Sequence, residues 1–107
     1  MYILASRRNG TLYVGVTSNL AARLHQHRTG MLRGFAAKYR VARLVHFEML
    51  GDMYGAIARE KQLKNWHRAW KIALIEKENP YWQDRAVELG FHPLPSHPAT
   101  LAPSSRT

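Results

Sequence analysis

Cysteine is absent from the 107 residues, which excludes disulfide staples, zinc knuckles and thiol nucleophiles and leaves any metal ion to oxygen or imidazole ligands. Acidic residues are scarce: seven Asp and Glu face sixteen Lys and Arg, a formal charge of +9. That imbalance makes a polyanion the expected partner and puts nucleic acid ahead of small acidic substrates. Apolar runs fall far short of the roughly 18 residues that cross a bilayer, and no long apolar secretory segment opens the chain. No membrane association is expected, and the cytoplasm is the expected compartment. Proline is nearly missing before His92; four of the five prolines lie in residues 92–107, among Ser, Thr and Ala. Such a stretch has too little apolar surface to bury. The expected organisation is therefore one domain over residues 1–91, with a flexible tail over 92–107. Fifteen of the sixteen basic residues and all seven acids belong to the first part, so the positive charge is a property of the domain.

Along the domain, residues 2–5 and 11–16 are short runs of β-formers separated by Ser6-Arg7-Arg8-Asn9-Gly10. The Asn-Gly pair suits the positive φ angles of a tight turn, so an antiparallel hairpin is expected. Ser18 or Thr17 can cap a helix over 19–28, in which Leu20 and Leu24 share a face and Gly30 provides the stop. Residues 31–40 show no clean period and read as a loop, while 41–49 read as a third strand. After Gly51, Asp52 can cap a long helix over 53–66. A second helical stretch over 69–77 ends at Asn79-Pro80, because proline disfavours helical geometry in the residue before it. Residues 81–89 are expected to form a short amphipathic helix that folds back through Trp82 and Val87. The fold class is thus α+β, a small three-stranded antiparallel sheet flanked by helices in the order β-β-α-β-α-α.

Three features carry chemistry. On the long helix, Met53, Ala56, Ile57 and Leu63 form one apolar stripe, and Glu60 falls near its centre. A carboxylate there demands a compensating cation, which is either a basic side chain in a buried salt bridge or a metal ion. On the first helix, Arg23 and His27 lie one turn apart and project side by side, either as two solvated residues or as a pair converging on one anion. A fixed guanidinium suits the charge that develops in a phosphodiester transition state. In the hairpin, Tyr13 precedes Gly15, where a glycine allows close approach of backbone or ligand; the alternative is that Tyr13 is a packing residue. Further on, Lys61, Lys64, Arg68 and Lys71 clothe the outer helical face in charge, along which a phosphate backbone could lie. Trp66 and Trp70 are one turn apart, a spacing more often found in cores than in base-stacking platforms.

Taken together, Tyr2-Ile3-Leu4, Leu12-Tyr13-Val14-Gly15, the helix bearing Arg23 and His27, and the downstream Glu60 resemble the GIY-YIG nucleases, specifically small stand-alone members. The resemblance covers roughly residues 1–89. It makes Tyr2 and Tyr13 the tyrosines of the two motif halves, with Gly15 closing the second. Arg23 matches the family's helical arginine, His27 a position often held by His or Tyr, and Glu60 the single metal-binding carboxylate. The late asparagine is matched by Asn79, with Asn65 as a second candidate. The Gly-Ile that precedes the first tyrosine in the family is missing before Met1-Tyr2, which leaves a start upstream of Met1 open.

The resemblance implies an endonuclease using one Mg²⁺ or Mn²⁺ ion held by Glu60. Tyr13 would accept a proton from water, Arg23 would stabilise the phosphorane charge, and Tyr2 and His27 would orient the reacting groups. DNA is expected ahead of RNA, with structural rather than sequence selectivity, since so small a domain has little surface for base readout. A non-catalytic basic module within a repair or recombination assembly is the competing expectation.

Overall fold

The computed structural model describes residues 1–29 and 40–92. The loop expected over 31–40, the helix stop at Gly30 and the tail expected over 92–107 lie outside the described residues, apart from Arg40 and His92 at their edges.

Strand β1 (Tyr2–Ala5) is buried along its whole length, as a central strand of apolar residues should be. It pairs antiparallel with β2 (Leu12–Gly15) on one side and β3 (Arg43–Phe47) on the other, giving the sheet order β2-β1-β3. Tyr2 lies opposite Gly15 and Leu4 opposite Tyr13 in one ladder; Ile3 lies opposite His46 and Leu4 opposite Leu44 in the other. The register shift between Ile3 and Leu4 leaves Val45 as the extra residue of a bulge. The third strand is shorter than the expected 41–49; Val41 is buried without joining the ladder.

The β1–β2 connection is a wider loop than a two-residue hairpin. Ser6 donates its N–H to the Thr11 carbonyl at 3.0 Å, and the Ser6 hydroxyl accepts from the Thr11 N–H at 3.0 Å. Asn9 alone takes the positive φ, 57°. Gly10 is needed for space: a Cβ there would stand 2.3 Å from the Ser6 hydroxyl and 2.8 Å from Arg7 Cγ.

Side chains alternate across the sheet. Tyr2 and Leu4 join Leu44, Val41 and Ala86 against Leu20 and Leu24 of helix α1 (Leu20–Arg28). Met1, Ile3, Ala5, Val14 and Val45 face Leu63 of α2 (Met53–Lys64) and Ile75 of α3 (Arg68–Glu78), with Trp82 closing that core. Each fully buried side chain of this size contributes about 1.5–3 kcal/mol. The sheet is therefore covered on both faces.

The caps explain where the helices start. Helix α1 is capped by Asn19, whose side chain accepts from the Ala22 N–H at 3.1 Å; Thr17, one of the two expected caps, instead accepts from the Asn19 N–H at 3.0 Å and fixes the entry. An Asn side chain reaches the N3 amide as well as Ser or Thr does, which is how it displaces them. Asp52 caps α2 as expected, accepting from the Gly55 N–H at 2.7 Å.

Beyond α3 the chain turns at Asn79, and the short helix expected over 81–89 is a 3₁₀ turn, Arg85–Leu89, capped by Asp84. Trp82 is buried as expected, whereas Val87 stands half exposed and Ala86 takes the core position. Three residues per turn bring Ala86 and Leu89 inward together, a phase that α-helical spacing does not anticipate. Among the described residues, no helix is long and apolar enough to cross a membrane.

Candidate active site

The two hairpin tyrosines are diagonal neighbours on one face of the sheet, with ring centroids 6.2 Å apart. Gly15, directly opposite Tyr2, is what lets them meet. A Cβ at Gly15 would lie 2.6 Å from both Cζ and the hydroxyl of Tyr2 and 2.9 Å from Cε1 of Tyr13. The φ of Gly15 is ordinary, so the glycine serves close approach and nothing else.

Helix α1 brings His27 against this pair. Its ring stands edge-on to both phenols, at 6.0 Å from Tyr2 and 5.6 Å from Tyr13, and its Nε2 is 3.3 Å from the Tyr2 hydroxyl. Burial, and after it the positive charge of Arg23, lower the His27 pKa below the usual histidine range. His27 is thus a neutral imidazole at neutral pH, able to donate or accept according to its tautomer. Tyr2, only 1% exposed, is shifted the other way. Burial and the Tyr13 phenol raise its pKa, Arg23 opposes them, and a hydrogen bond with Tyr13 and the charge of Glu60 add to the rise. Tyr2 therefore remains protonated at any pH at which the fold works, which makes it a donor.

Those influences place five of the expected site residues in one neighbourhood: Tyr2, Tyr13, Arg23, His27 and Glu60. Arg23 is half-buried, and no carboxylate pairs with it among the described residues. Glu60, on α2 beside β2, has a side chain 15% exposed; the Lys64 ammonium, itself about half exposed, lies 3.0 Å from its Oε2. A pair with so exposed a lysine contributes under about 1 kcal/mol and leaves the carboxylate open to exchange its partner. Among the described residues no three His, Asp or Glu side chains come together as a metal cage. A lone, mostly shielded carboxylate beside phenols nevertheless suits Mg²⁺, which keeps several waters and commonly takes one or two carboxylates. The residues present fit such an ion.

The remaining expected residues are not gathered here. Asn79 is buried, with its amide donating to the Val45 carbonyl at 3.1 Å and the Gln83 carbonyl at 2.9 Å and its oxygen accepting from the Gln83 N–H at 2.9 Å. It ties α3 to β3 and to the chain beyond. Asn65 is the exposed C-cap of α2. Lys61 is exposed, Lys64 faces Glu60, and Lys71 is half-buried. Arg68 donates to the carbonyls of Asn9 and Gly10 at 2.9 and 2.6 Å, bracing the hairpin loop. The break between α2 and α3 divides these four cations between two helices.

One polar cluster had no signal in the sequence. Glu48 receives Arg59 Nε at 2.9 Å and Arg59 Nη2 at 3.1 Å, and pairs with His46 Nε2 at 3.0 Å. Burial would raise the Glu48 pKa, but the hydrogen bonds from Arg59 and His46 outweigh it and hold the carboxyl below the usual range. His46 lies on β3 and Glu48 just beyond its end, and a two-residue separation alone does not single the pair out.

Residues 1–73 match the GIY-YIG catalytic domain. A UPF0213 protein of Syntrophus aciditrophicus is 43% identical over 74 residues, covering 65% of this chain and 80% of its own length. A UPF0213 protein of Staphylococcus haemolyticus is 32% identical over 77 residues, covering 72% of this chain and 93% of its own. No solved structure matches the chain. With the tyrosine hairpin, the helical arginine and the downstream glutamate all inside the matched region, the chain belongs to the GIY-YIG family of nucleases, among its small UPF0213 members.

Proposed function

We propose that this protein is a divalent-metal-dependent endonuclease that hydrolyses phosphodiester bonds of DNA with little sequence selectivity. The observation that carries the reading is the meeting of two phenols over Gly15, where a Cβ would stand 2.6 Å from the Tyr2 hydroxyl, with His27 Nε2 3.3 Å from that hydroxyl and the charges of Arg23 and Glu60 acting on Tyr2. When bound, Mg²⁺ or Mn²⁺ would supply Lewis acidity and a template for the scissile phosphate, and Glu60 is the residue that would hold it. The rest falls to the protein. Tyr2, protonated and backed by neutral His27, donates a hydrogen bond and orients the reacting groups. Tyr13, less buried than Tyr2, is the side chain left to act as general base, taking the proton from attacking water as its phenolate and becoming the neutral phenol. Arg23, without a carboxylate partner among the described residues, stabilises the charge gathering on the pentavalent phosphorus. In-line attack with departure of the 3′ oxygen leaves a 5′-phosphate and a 3′-hydroxyl.

The net charge of +9 supports a polyanionic substrate. The test is cleavage of labelled single-stranded, duplex, flapped and branched DNA with Mg²⁺ or Mn²⁺. Wild type should cut at least one substrate in a metal-dependent way, and Glu60→Ala and Arg23→Ala should each lower the rate by about 10²-fold or more. Salt-sensitive binding without cleavage of any substrate would replace this reading with that of a basic binding module.

A further inference from the structure

Helix α3 presents a second surface, one that the proposed chemistry does not use. Ile72 and Ile75 pack toward the sheet, with Leu74 and Trp66 partly buried at the edge of the same core, while Trp70 stands 56% exposed. Trp70, Ala73, Leu74 and Lys77 follow the i, i+3, i+4, i+7 spacing of one helical face. With Trp66 they line a shallow groove of about 410 Å³. The indole of Trp70 is held upright by edge contacts with Trp66 at 6.0 Å and His67 at 5.1 Å. Leaving a braced tryptophan in water forfeits burial that a core position would give it, so its exposure calls for an occupant.

Charge chooses among occupants. Among the described residues Lys77 lines the groove and no acid does. The two acids of α3 are engaged elsewhere: Glu76 accepts from the Trp82 indole at 2.7 Å, and Glu78 lies 3.6 Å from Arg85. A second copy of the chain would bring the same lysine and the same net charge of +9 against it. A strand of nucleic acid instead offers a flat base for the indole and a phosphate for the lysine, the pairing used by stacking platforms.

We propose that Trp70 is a base-stacking residue of an auxiliary nucleic-acid subsite on α3, with Lys77 on the adjoining phosphate. This rests on the nuclease reading only for the identity of the polymer, and it concerns binding rather than the chemical step. The experiment is a titration of the full chain with oligothymidylate in the presence of EDTA, read by indole emission and by fluorescence anisotropy of the oligonucleotide. Trp82 is buried, so the quench reports on the two groove indoles, the exposed Trp70 and the half-buried Trp66 beside it, and the Trp70 variants separate their shares. Trp70→Ala should remove most of the quench and weaken binding about ten-fold, Trp70→Phe should keep most of the affinity, and an abasic oligonucleotide of the same length should bind wild type and Trp70→Ala alike. Thermal melts of the variants should match wild type, since position 70 is exposed and alanine favours helix.

Equal binding of wild type and Trp70→Ala to oligothymidylate would overturn the proposal. So would quenching by polyglutamate as strong as that by the oligonucleotide, which would make this a face for acidic protein segments. A Trp70-dependent quench in a protein that cuts no substrate with Mg²⁺ would uphold the subsite and sink the nuclease reading, and cleavage with no Trp70-dependent quench would do the reverse.

Discussion

Gly15 controls the distance between the two phenols. It sits opposite Tyr2 in the ladder, and the added methyl of Gly15→Ala would lie 2.6 Å from ring and hydroxyl atoms of Tyr2 and 2.9 Å from Tyr13. Neither neighbour is the loose end of a flexible chain. Tyr2 is fully buried and His27 stands against its hydroxyl, so relief requires the strands to separate or the rings to leave their places. Overpacking of this kind costs about 1–3 kcal/mol, and misplacing reacting groups by even an ångström can cost on the order of 10²-fold in rate. Gly15→Ala is therefore expected to remain folded at room temperature with a lowered melting temperature, and to lose about 10²-fold in cleavage rate. Thermal melting followed by a cleavage assay checks both; an unchanged rate would show that the spacing of the phenols does not matter to the reaction.

At the scale of elements, what could be read from the sequence was whatever repeats locally. Tyr2–Ala5 and the start of α2 follow from β-formers and from Asp52 as a cap. Of the candidate site, Glu60 stands out as an acid on an apolar stripe and Arg23 and His27 by their spacing of one turn, whereas Tyr13 is marked only by the nearby Gly15 and Tyr2 only by the resemblance to the GIY-YIG nucleases. What escaped joins residues far apart. Arg28 pairs with buried Asp84 across 56 positions, and Arg59 reaches Glu48 across 11; neither has a local period. The phase of the 3₁₀ turn escaped as well, since the Trp82–Val87 spacing assumed a fold-back helix where Asp84 caps a tighter one. The resemblance offers Asn79 as a supporting residue of the site, and its three hydrogen bonds tie α3, β3 and Gln83 together. Asn79→Ala leaves the Val45 carbonyl and the Gln83 N–H short of partners, a loss of about 1–3 kcal/mol for each buried group so stranded. Urea denaturation should show a fall of that order, while cleavage per folded molecule stays within about two-fold of wild type. A large fall in rate at unchanged stability would instead give Asn79 a part in the chemistry.

The whole molecule is a charged body with seven acids against sixteen Lys and Arg, and much of that excess has a structural task. Arg28 holds Asp84, Arg59 holds Glu48, Arg85 pairs with Glu78 and Glu88, and Arg68 braces the hairpin carbonyls. Cations so engaged release fewer counterions on binding than their number suggests. If about four phosphates are neutralised on a duplex, the logarithm of affinity falls with the logarithm of salt at a slope near −3.6, roughly a hundred-fold loss between 50 and 200 mM. The four cations on α2 and α3 should divide under mutation. Lys61, exposed and in no ion pair among the described residues, should on replacement by alanine reduce the slope by about 0.9 and leave the melting temperature unchanged. Arg68→Ala should lower the melting temperature through loss of the bonds to Asn9 and Gly10 and change the slope less. Binding titrations at several salt concentrations, run beside thermal melts, measure both. Should Arg68→Ala reduce the slope as much as Lys61→Ala at full stability, its guanidinium faces phosphate in the complex and the hairpin loop is free to move toward the strand.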